Sequence, residues 1–341
     1  MKNILLALTA LIAFTMSTVN AQHGDPFFPV QVNGDYGYIN NTGKVVIKPQ
    51  FIDARNFSEG MARVTLDVYH WGFVDTTGKM VIQPQYDWVE DFSEGLAAVK
   101  VDGKWGFIDK TGKMVISPQW SNVHYFNEGL AAVETTISKY RSTWGFIDKT
   151  GNFVIAPQFS RVWSFSEGLA MVNVDGKWGF IDKTGTIVIS PQYKIANSFH
   201  EGMAAVTLDE DYGFIDKTGT MVIAPQFTST EGFSEGVAAV NIKGRWGYID
   251  KTGKFVIEPQ FDLAESFSEE MAAVRLNYDK GLWGYIDKTG KILFRLTCGA
   301  AGTFHHGVAV VEREVIDDYD GVDFKKDYIN KKGKTVWKEK R

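Results

Sequence analysis

The segment KWGFIDKTGKMVISPQW, from Lys104 to Trp120, recurs along almost the whole 341-residue chain, and NEGLAAV follows it from Asn127 to Val133. Successive copies lie 34 to 39 residues apart, and a degenerate ninth copy, DYINKKGKTVW, runs from Asp327 to Trp337. A fixed repeat of this length predicts an array in which each unit buries its apolar face against its neighbours. An aromatic-glycine pair marks the eight clear copies and begins at Tyr36, Trp71, Trp105, Trp144, Trp178, Tyr212, Trp246 and Trp283.

Each unit has the pattern of three short β-strands. In the third copy these are Leu96 to Asp102, Lys104 to Asp109, and Lys113 to Ile116, and Pro118 ends the last of them. Asp-Gly and Asp-x-Thr-Gly separate the strands, and both are hairpin signals. In the second turn we expect the glycine to adopt a left-handed conformation and the aspartate to cap the backbone. The fold class is therefore predicted to be all-β.

The array could be open or closed. We predict about nine three-stranded β-meander units in an open solenoid or superhelix, rather than a closed β-propeller. Propeller blades usually have four strands, and ring closure often splits one blade between the termini, which the sequence does not show. The array is expected over residues 22–341, with copies near 29–61, 62–95, 96–129, 130–168, 169–202, 203–236, 237–270 and 271–307 and a C-terminal cap over 308–341.

The first 21 residues have the pattern of a signal peptide. Lys2 precedes an apolar stretch from Ile4 to Met16, and Val19 to Ala21 form a small-residue cleavage site. We therefore expect an exported protein, periplasmic or extracellular, without a membrane span. The net charge of −5 provides no basic field for nucleic acid. Cys298 is the only cysteine, and a small buried apolar role is favoured over a reactive thiol.

The repeated residues are predicted to be structural. A packing position must be present in every copy, so the tryptophans are expected in the core, although flat rings could also stack on sugars. The glycine beside each tryptophan indicates close packing over the backbone, commonly by an aromatic ring of the next unit. The glutamate of each Glu-Gly pair is expected to cap backbone rather than to act in acid-base catalysis. The tryptophans concerned are Trp71, Trp105, Trp144, Trp178, Trp246 and Trp283.

Residues that differ between copies are better candidates for function. Trp88, His124, Tyr125 and Trp163 occupy connectors of consecutive copies, where other copies have polar or small residues. If these connectors line one face, the four side chains form an aromatic binding patch; alternatively, each fills a local gap. Insertions at residues 135–143, 277–282 and 313–327 could form a second recognition edge.

The sequence predicts no cofactor and no metal site. The acidic stretch from Asp317 to Asp323 lacks the ligand spacing of an EF-hand, so a solvated hairpin is favoured over a calcium loop. The six histidines show no zinc-ligand spacing.

The recurring Trp-Gly-Phe-Ile-Asp-x-x-Gly, Val-Ile-x-Pro-Gln and Phe-Ser-Glu-Gly-Leu-Ala motifs resemble the bacterial WG-repeat (KWG-repeat) family. The resemblance covers nearly the whole expected mature chain. It implies an exported or surface interaction scaffold, and it supplies no catalytic residues. The chain departs from the pattern at Tyr36, at Glu270, and between Leu293 and Cys298, where Pro-Gln is missing.

We therefore expect an exported, non-enzymatic repeat scaffold that binds an envelope or extracellular protein. The alternative is a carbohydrate- or peptidoglycan-binding module that uses the connector aromatics.

Overall fold

The computed structural model describes residues 26–138, 141–316 and 322–339, and these form nine antiparallel β-sheets. The expected signal peptide and residues 317–321 of the acidic stretch lie outside the described ranges. No helix in the described ranges is long and apolar enough to cross a membrane.

The first five sheets contain strands β1 to β19. Sheet 1 is β1 (Phe27–Val32), β2 (Asp35–Asn40) and β3 (Val45–Phe51). Sheet 2 is β4 (Asp53–Ser58), β5 (Met61–Thr65), β6 (Trp71–Asp75) and β7 (Met80–Tyr86). Sheet 3 is β8 (Trp88–Val89), β9 (Leu96–Val101), β10 (Lys104–Asp109) and β11 (Met114–Trp120). Sheet 4 is β12 (Asn122–Val123), β13 (Ala131–Ser138), β14 (Arg141–Ile147) and β15 (Phe153–Phe159). Sheet 5 is β16 (Arg161–Val162), β17 (Ala170–Val174), β18 (Lys177–Ile181) and β19 (Ile187–Tyr193).

The remaining four sheets contain β20 to β35. Sheet 6 is β20 (Ile195–Ala196), β21 (Met203–Thr207), β22 (Tyr212–Asp216) and β23 (Met221–Phe227). Sheet 7 is β24 (Ser229–Ser234), β25 (Val237–Ile242), β26 (Arg245–Asp250) and β27 (Phe255–Phe261). Sheet 8 is β28 (Leu263–Ala264), β29 (Ala272–Asn277), β30 (Leu282–Ile286) and β31 (Ile292–Thr297). Sheet 9 is β32 (Ala300–Ala301), β33 (Val308–Ile316), β34 (Val322–Asn330) and β35 (Thr335–Lys338).

Within the described ranges eight sheets have four strands and sheet 1 has three, so the prediction of three-stranded units was wrong for these eight sheets. The additional strand lies in the connector and is usually only two residues long. In sheet 3, Trp88 pairs with Lys100 and Val89 with Val99. Two residues are too few to show a period-two pattern, so the sequence does not reveal this strand. Each sheet is therefore offset from the sequence copy, because a connector pairs with the strands that follow it.

In seven of the eight aromatic-glycine pairs, all but that of Gly284, the glycine lies directly under the backbone of the following strand, which we call the chain crossing. A Cβ added to Gly106 would lie 2.5 Å from the carbonyl oxygen of Ile116 and 2.7 Å from the nitrogen of Pro118. The register between β10 and β11 shifts at this point, since Phe107 pairs with Ile116 but Trp105 pairs with Trp120. The prediction of close packing over this glycine is thus met by backbone of the same unit, not by an aromatic ring of the next one. The crossing lets the chain enter the next sheet through a one-residue link.

The first and last sheets pack against each other, which closes the array into a ring. Val30 and Ile39 of sheet 1 share one buried cluster with Val308 and Tyr328 of sheet 9. The Tyr328 hydroxyl donates a hydrogen bond of 2.6 Å to the Pro29 carbonyl oxygen. The expectation of an open solenoid or superhelix was wrong: the fold is a nine-bladed β-propeller.

Closure without strand exchange explains that error. Throughout the described ranges, each sheet is built from one continuous segment of chain, so no blade is split between the termini. The complete copies at both ends were interpreted as evidence for an open array, but side-chain packing between whole sheets is sufficient to close it. The ring contact of Phe28 with Tyr328, at 5.7 Å between centroids, belongs to this packing.

The aromatic residue two positions after the first residue of each aromatic-glycine pair is fully buried. Phe107 is fully buried and meets the ring of Phe126, from the next sheet, at 4.9 Å. Trp71, Trp105, Trp144 and Trp283 are also buried. Trp178 and Trp246 are only partly buried.

A glutamate latch joins successive sheets. Glu94 is the first of two left-handed residues in a two-residue hairpin turn, with φ of 52°. This conformation costs a residue other than glycine roughly 1–2 kcal/mol. Its carboxylate accepts the Gly129 backbone N–H of sheet 4 at 3.0 Å and pairs with the Lys149 ammonium of sheet 4 at 3.1 Å. The lysine-glutamate pair recurs at seven boundaries as Lys110–Glu59, Lys149–Glu94, Lys183–Glu128, Lys217–Glu167, Lys251–Glu201, Lys288–Glu235 and Lys331–Glu269.

Candidate binding surface

The connectors of sheets 2 to 9 are hydrogen-bonded to one another at six of the boundaries between these sheets and form a belt. The Ser93 hydroxyl donates to the Phe126 carbonyl oxygen of the next connector at 2.7 Å, and Ser166 does the same to Phe199. We call the residue two positions before the connector phenylalanine the belt residue. In sheets 2 to 9 the belt residues are Arg55, Glu90, His124, Trp163, Asn197, Glu231, Glu265 and Gly302. The connector is therefore present in each of these sheets, whereas the side chain at the belt position varies among them.

Two predicted site residues, His124 and Trp163, are neighbouring belt residues in contact. The imidazole lies 5.0 Å from the Trp144 ring and 5.8 Å from the Trp163 ring, measured between centroids. Burial between these indoles lowers the pKa of His124 to about 4, so the ring is neutral at physiological pH. Trp163 is 51% exposed. We call Trp144, His124 and Trp163 the aromatic patch.

Trp88 lies at a different place on the ring. Its indole packs 5.4 Å from that of Trp71 in sheet 2, and the side chain is 42% exposed. It borders an open cleft of about 490 Å³ that is also lined by Asp87, Lys100, Gly103 and Trp105. We call this the Trp88 cleft.

The four predicted site residues therefore do not form one ring cluster. Tyr125 is half-buried and takes no part in the ring contacts of the aromatic patch. Only His124 and Trp163 are brought together, while Trp88 lines its own cleft. Whether any of the four binds a ligand stays a prediction.

Two carboxylates on the belt were missed by the sequence analysis. Glu231 and Glu265 are belt residues of adjacent sheets 7 and 8. The pKa of Glu265 is raised to about 7, mainly by burial and to a smaller extent by the negative charge of Glu231. Burial also raises the pKa of Glu231. Aligning the connectors by their phenylalanines would have placed both at the position of His124 and Trp163.

The repeated carboxylates serve the scaffold. The latch glutamates bind backbone N–H groups and lysines. Burial opposes ionisation of Glu167, but bonds from Lys217 and from backbone N–H groups outweigh it and lower its pKa. Within the described ranges, no group of three or more histidine, cysteine or acidic side chains is arranged to hold a metal ion.

Cys298 is half-buried and unpaired. Burial raises the pKa of its thiol to about 11. The thiol is therefore protonated near neutral pH, and a protonated thiol is a poor nucleophile.

The fold and surface define a closed β-propeller built from one repeated unit, with varied side chains on a constant belt. The model of the WG containing repeat matches residues 36–67, 71–105, 105–135, 144–178, 178–210, 212–246, 246–278 and 283–314. These matches cover well over half of the chain, which therefore belongs to the WG-repeat family. No curated protein matches it.

Distant structural similarity extends over most of the ring. Apo AztD from Citrobacter koseri is similar with a TM-score of 0.42 and 12% identity, over 91% of this chain and 92% of that one. Oligopeptidase B from Trypanosoma brucei, with covalently bound antipain, is similar with a TM-score of 0.42 and 11% identity, over 91% of this chain and 54% of that one. Ring closure is inferred from this chain's own contacts.

Proposed function

We propose that the protein is an exported, non-enzymatic scaffold that binds a protein partner of the cell envelope or extracellular space through its belt. Export is supported by the signal-peptide pattern of residues 1–21. The observation that carries the binding proposal is the contact between His124 and Trp163. It joins copy-specific aromatic side chains of two sheets on one partly exposed surface.

A binding role fits the way the residues are used. The latch glutamates and connector serines are engaged in hydrogen bonds and ion pairs between sheets, and the aromatic-glycine pairs are engaged in packing, so all of them serve the scaffold. The belt positions are free to vary, because other sheets place asparagine, arginine or glycine there. Large aromatic side chains with restricted rotamers are typical anchors of protein interfaces.

The test is partner capture by the mature protein and by a patch variant. The variant combines Trp163→Asn in the patch with Tyr125→Ser beside it in the connector, and both changes introduce residues that sheet 6 already carries as Asn197 and Ser198. Partners captured from envelope extracts are identified by mass spectrometry, and binding is then measured with the purified partner. We expect at least a tenfold weaker Kd, since loss of an aromatic anchor typically costs about 2 kcal/mol or more.

A matched control keeps this test specific. Ile195 is 42% exposed in the connector of sheet 6, and Ile195→Ser removes a similarly exposed apolar group outside the patch. The control should bind like the natural protein. Equal binding by the patch variant and the natural protein would exclude the patch as the interface, and a large loss of thermal stability would assign it to local packing.

Glycan binding is the second candidate function. The observation that favours it is the exposed indole of Trp88 at the edge of a cleft with charged side chains.

A further inference from the structure

The exposed ring of Trp88 is held in one orientation. Its indole N–H donates to a Glu90 carboxylate oxygen at 3.0 Å. The other oxygen of Glu90 accepts a bond from the Arg63 guanidinium at 3.0 Å, and the same guanidinium nitrogen donates to the Val89 carbonyl oxygen at 2.6 Å. The Arg63 side chain is only 14% exposed. This chain of bonds extends from the buried side of sheet 2 to an indole at the surface.

The Trp71 ring supports the same indole from the neighbouring sheet. An exposed tryptophan with this support loses little side-chain entropy when a ligand stacks on it. Packing alone does not require the indole, because the equivalent connector positions are Asp53, Asn122, Arg161, Ile195, Ser229, Leu263 and Ala300. The tryptophan is thus particular to this cleft.

The cleft combines apolar walls with polar groups of both signs. Trp88 and Trp105 supply the aromatic surface, and Asp87 and Lys100 supply a carboxylate and an ammonium group. The Lys100 ammonium lies 5.7 Å from the centre of the Trp105 ring. The cleft has a volume of about 490 Å³ and is open to solvent.

These features fit one chemical class best. A pyranose ring with equatorial hydroxyls has an apolar C–H face for an indole and a rim of hydroxyls that both donate and accept hydrogen bonds. The carboxylate can accept from such hydroxyls, and the ammonium can donate to them. We propose that the Trp88 cleft binds a pyranose unit of a β-linked glycan, in which the glycosidic bonds are equatorial as well and leave the C–H face free to stack on the open indole. The inference rests on the proposed binding function and deepens its glycan alternative, while it is independent of the aromatic patch.

The test is a calorimetric titration of the mature protein with each of three tetrasaccharides: chitotetraose, cellotetraose and the α-linked maltotetraose. We expect one of the β-linked tetrasaccharides to bind with a Kd of about 0.1–1 mM, and maltotetraose to bind more weakly. Trp88→Ser, which introduces the residue of sheet 7, should weaken binding about tenfold or more. Trp88→Phe should retain most of the affinity, since it keeps an aromatic platform.

The controls separate this site from the protein-binding surface. Trp163→Asn with Tyr125→Ser should bind the tetrasaccharide unchanged, and Lys100→Met should weaken binding without removing the platform. No binding of either β-linked glycan up to about 10 mM would overturn the inference, as would equal affinity of folded Trp88→Ser. Capture of a protein partner lost only in the patch variant would support the proposed function even if the glycan inference fails.

Discussion

The boundary between sheets 4 and 5 and the boundary between sheets 9 and 1 hold the same ring together by different means. At the first, the Glu128 carboxylate accepts the Gly168 N–H at 3.0 Å and pairs with Lys183 at 3.0 Å. At the closing boundary all three components are replaced. His306 occupies the position of the glutamate, and Asn41 occupies the position of the lysine. Pro26 occupies the position of the glycine and has no N–H to donate.

The two boundaries separate the interactions that a propeller of this type requires from those that it can lack. Apolar packing occurs at both boundaries, whereas the polar latch occurs only at the interior one. The turn still contacts the preceding sheet at both boundaries: a Cβ on Gly43 would meet the Val336 backbone of sheet 9, and one on Gly185 would meet the Ile155 side chain of sheet 4. Packing is therefore sufficient to close the ring, and the latch is an addition.

The largest expected effect comes from Tyr328→Ala at the closing boundary. Tyr328 is buried between the last and first sheets, so its loss should cost about 3–5 kcal/mol, as does loss of a large core aromatic. Phe107→Ala, at an interior boundary, is the matched control and should cost a similar amount in chemical denaturation. An open array predicts a much smaller effect at Tyr328, because that residue would then have neighbours on one side only.

The next largest difference in stability is expected between glycine-to-alanine variants with and without the chain crossing. Gly106→Ala places a methyl group against backbone atoms and should cost about 3 kcal/mol. In sheet 8 the strands pair without the crossing, and a Cβ on Gly284 would meet the end of the Leu276 side chain at 3.0 Å, which can move. Gly284→Ala should therefore cost under about 1 kcal/mol. Equal midpoint shifts for the two variants would contradict the role of the crossing.

Acid should loosen the interior sheets before the closing ones. Bonds from Thr111 lower the pKa of Asp109, and the aspartates of the other interior turns behave alike. A lowered pKa in the folded state gives stability that is present above the unfolded value, near 4, and is lost as the pH falls further. The same turns of sheets 1 and 9 are capped by the uncharged Asn40 and Asn330.

Hydrogen exchange at pH 3 measures this difference directly. The amides of Thr111 and Lys113 should lose protection relative to neutral pH, whereas those of Thr42 and Lys332 should change less. An equal loss of amide protection in all sheets would show that the turn carboxylates do not control the acid sensitivity of the ring.

Completing the latch at the closing boundary should have the smallest effect. His306→Glu with Asn41→Lys restores the ion pair but not the N–H, because Pro26 remains. Exposed pairs of this kind contribute about 0.2–1 kcal/mol, so a gain in the lower part of that range is expected at low salt. The gain should disappear at high salt, and a gain that persists there would assign the effect to packing.

Part of this account could be predicted from the sequence because it is local. The unit length, the left-handed Gly112 and the capping Asp109 follow from recurring turn residues. The strand Trp88–Val89 could not be predicted, since two residues carry no periodicity. The Glu94 latch was predicted as a backbone cap, but its partner lies 35 residues away in the next sheet.

Only part of the candidate site could be predicted from the sequence. Alignment of connectors identifies His124 and Trp163 as equivalent, and their contact then follows from ring geometry. The separation of Trp88 from them, and its fixed orientation by Glu90 and Arg63, depend on how sheets 2 and 3 pack. Closure was missed because the cluster of Val30 and Tyr328 joins residues from opposite ends of the chain.

Small-angle X-ray scattering of residues 22–341 tests closure most directly. A closed ring is compact, and a single domain of this size has a radius of gyration of about 20 Å. Nine sheets stacked about 10 Å apart in an open array would extend over about 90 Å. The closed ring predicts a radius of gyration of about 20 Å and a single-peaked distance distribution, whereas distances that extend to about 90 Å would contradict it.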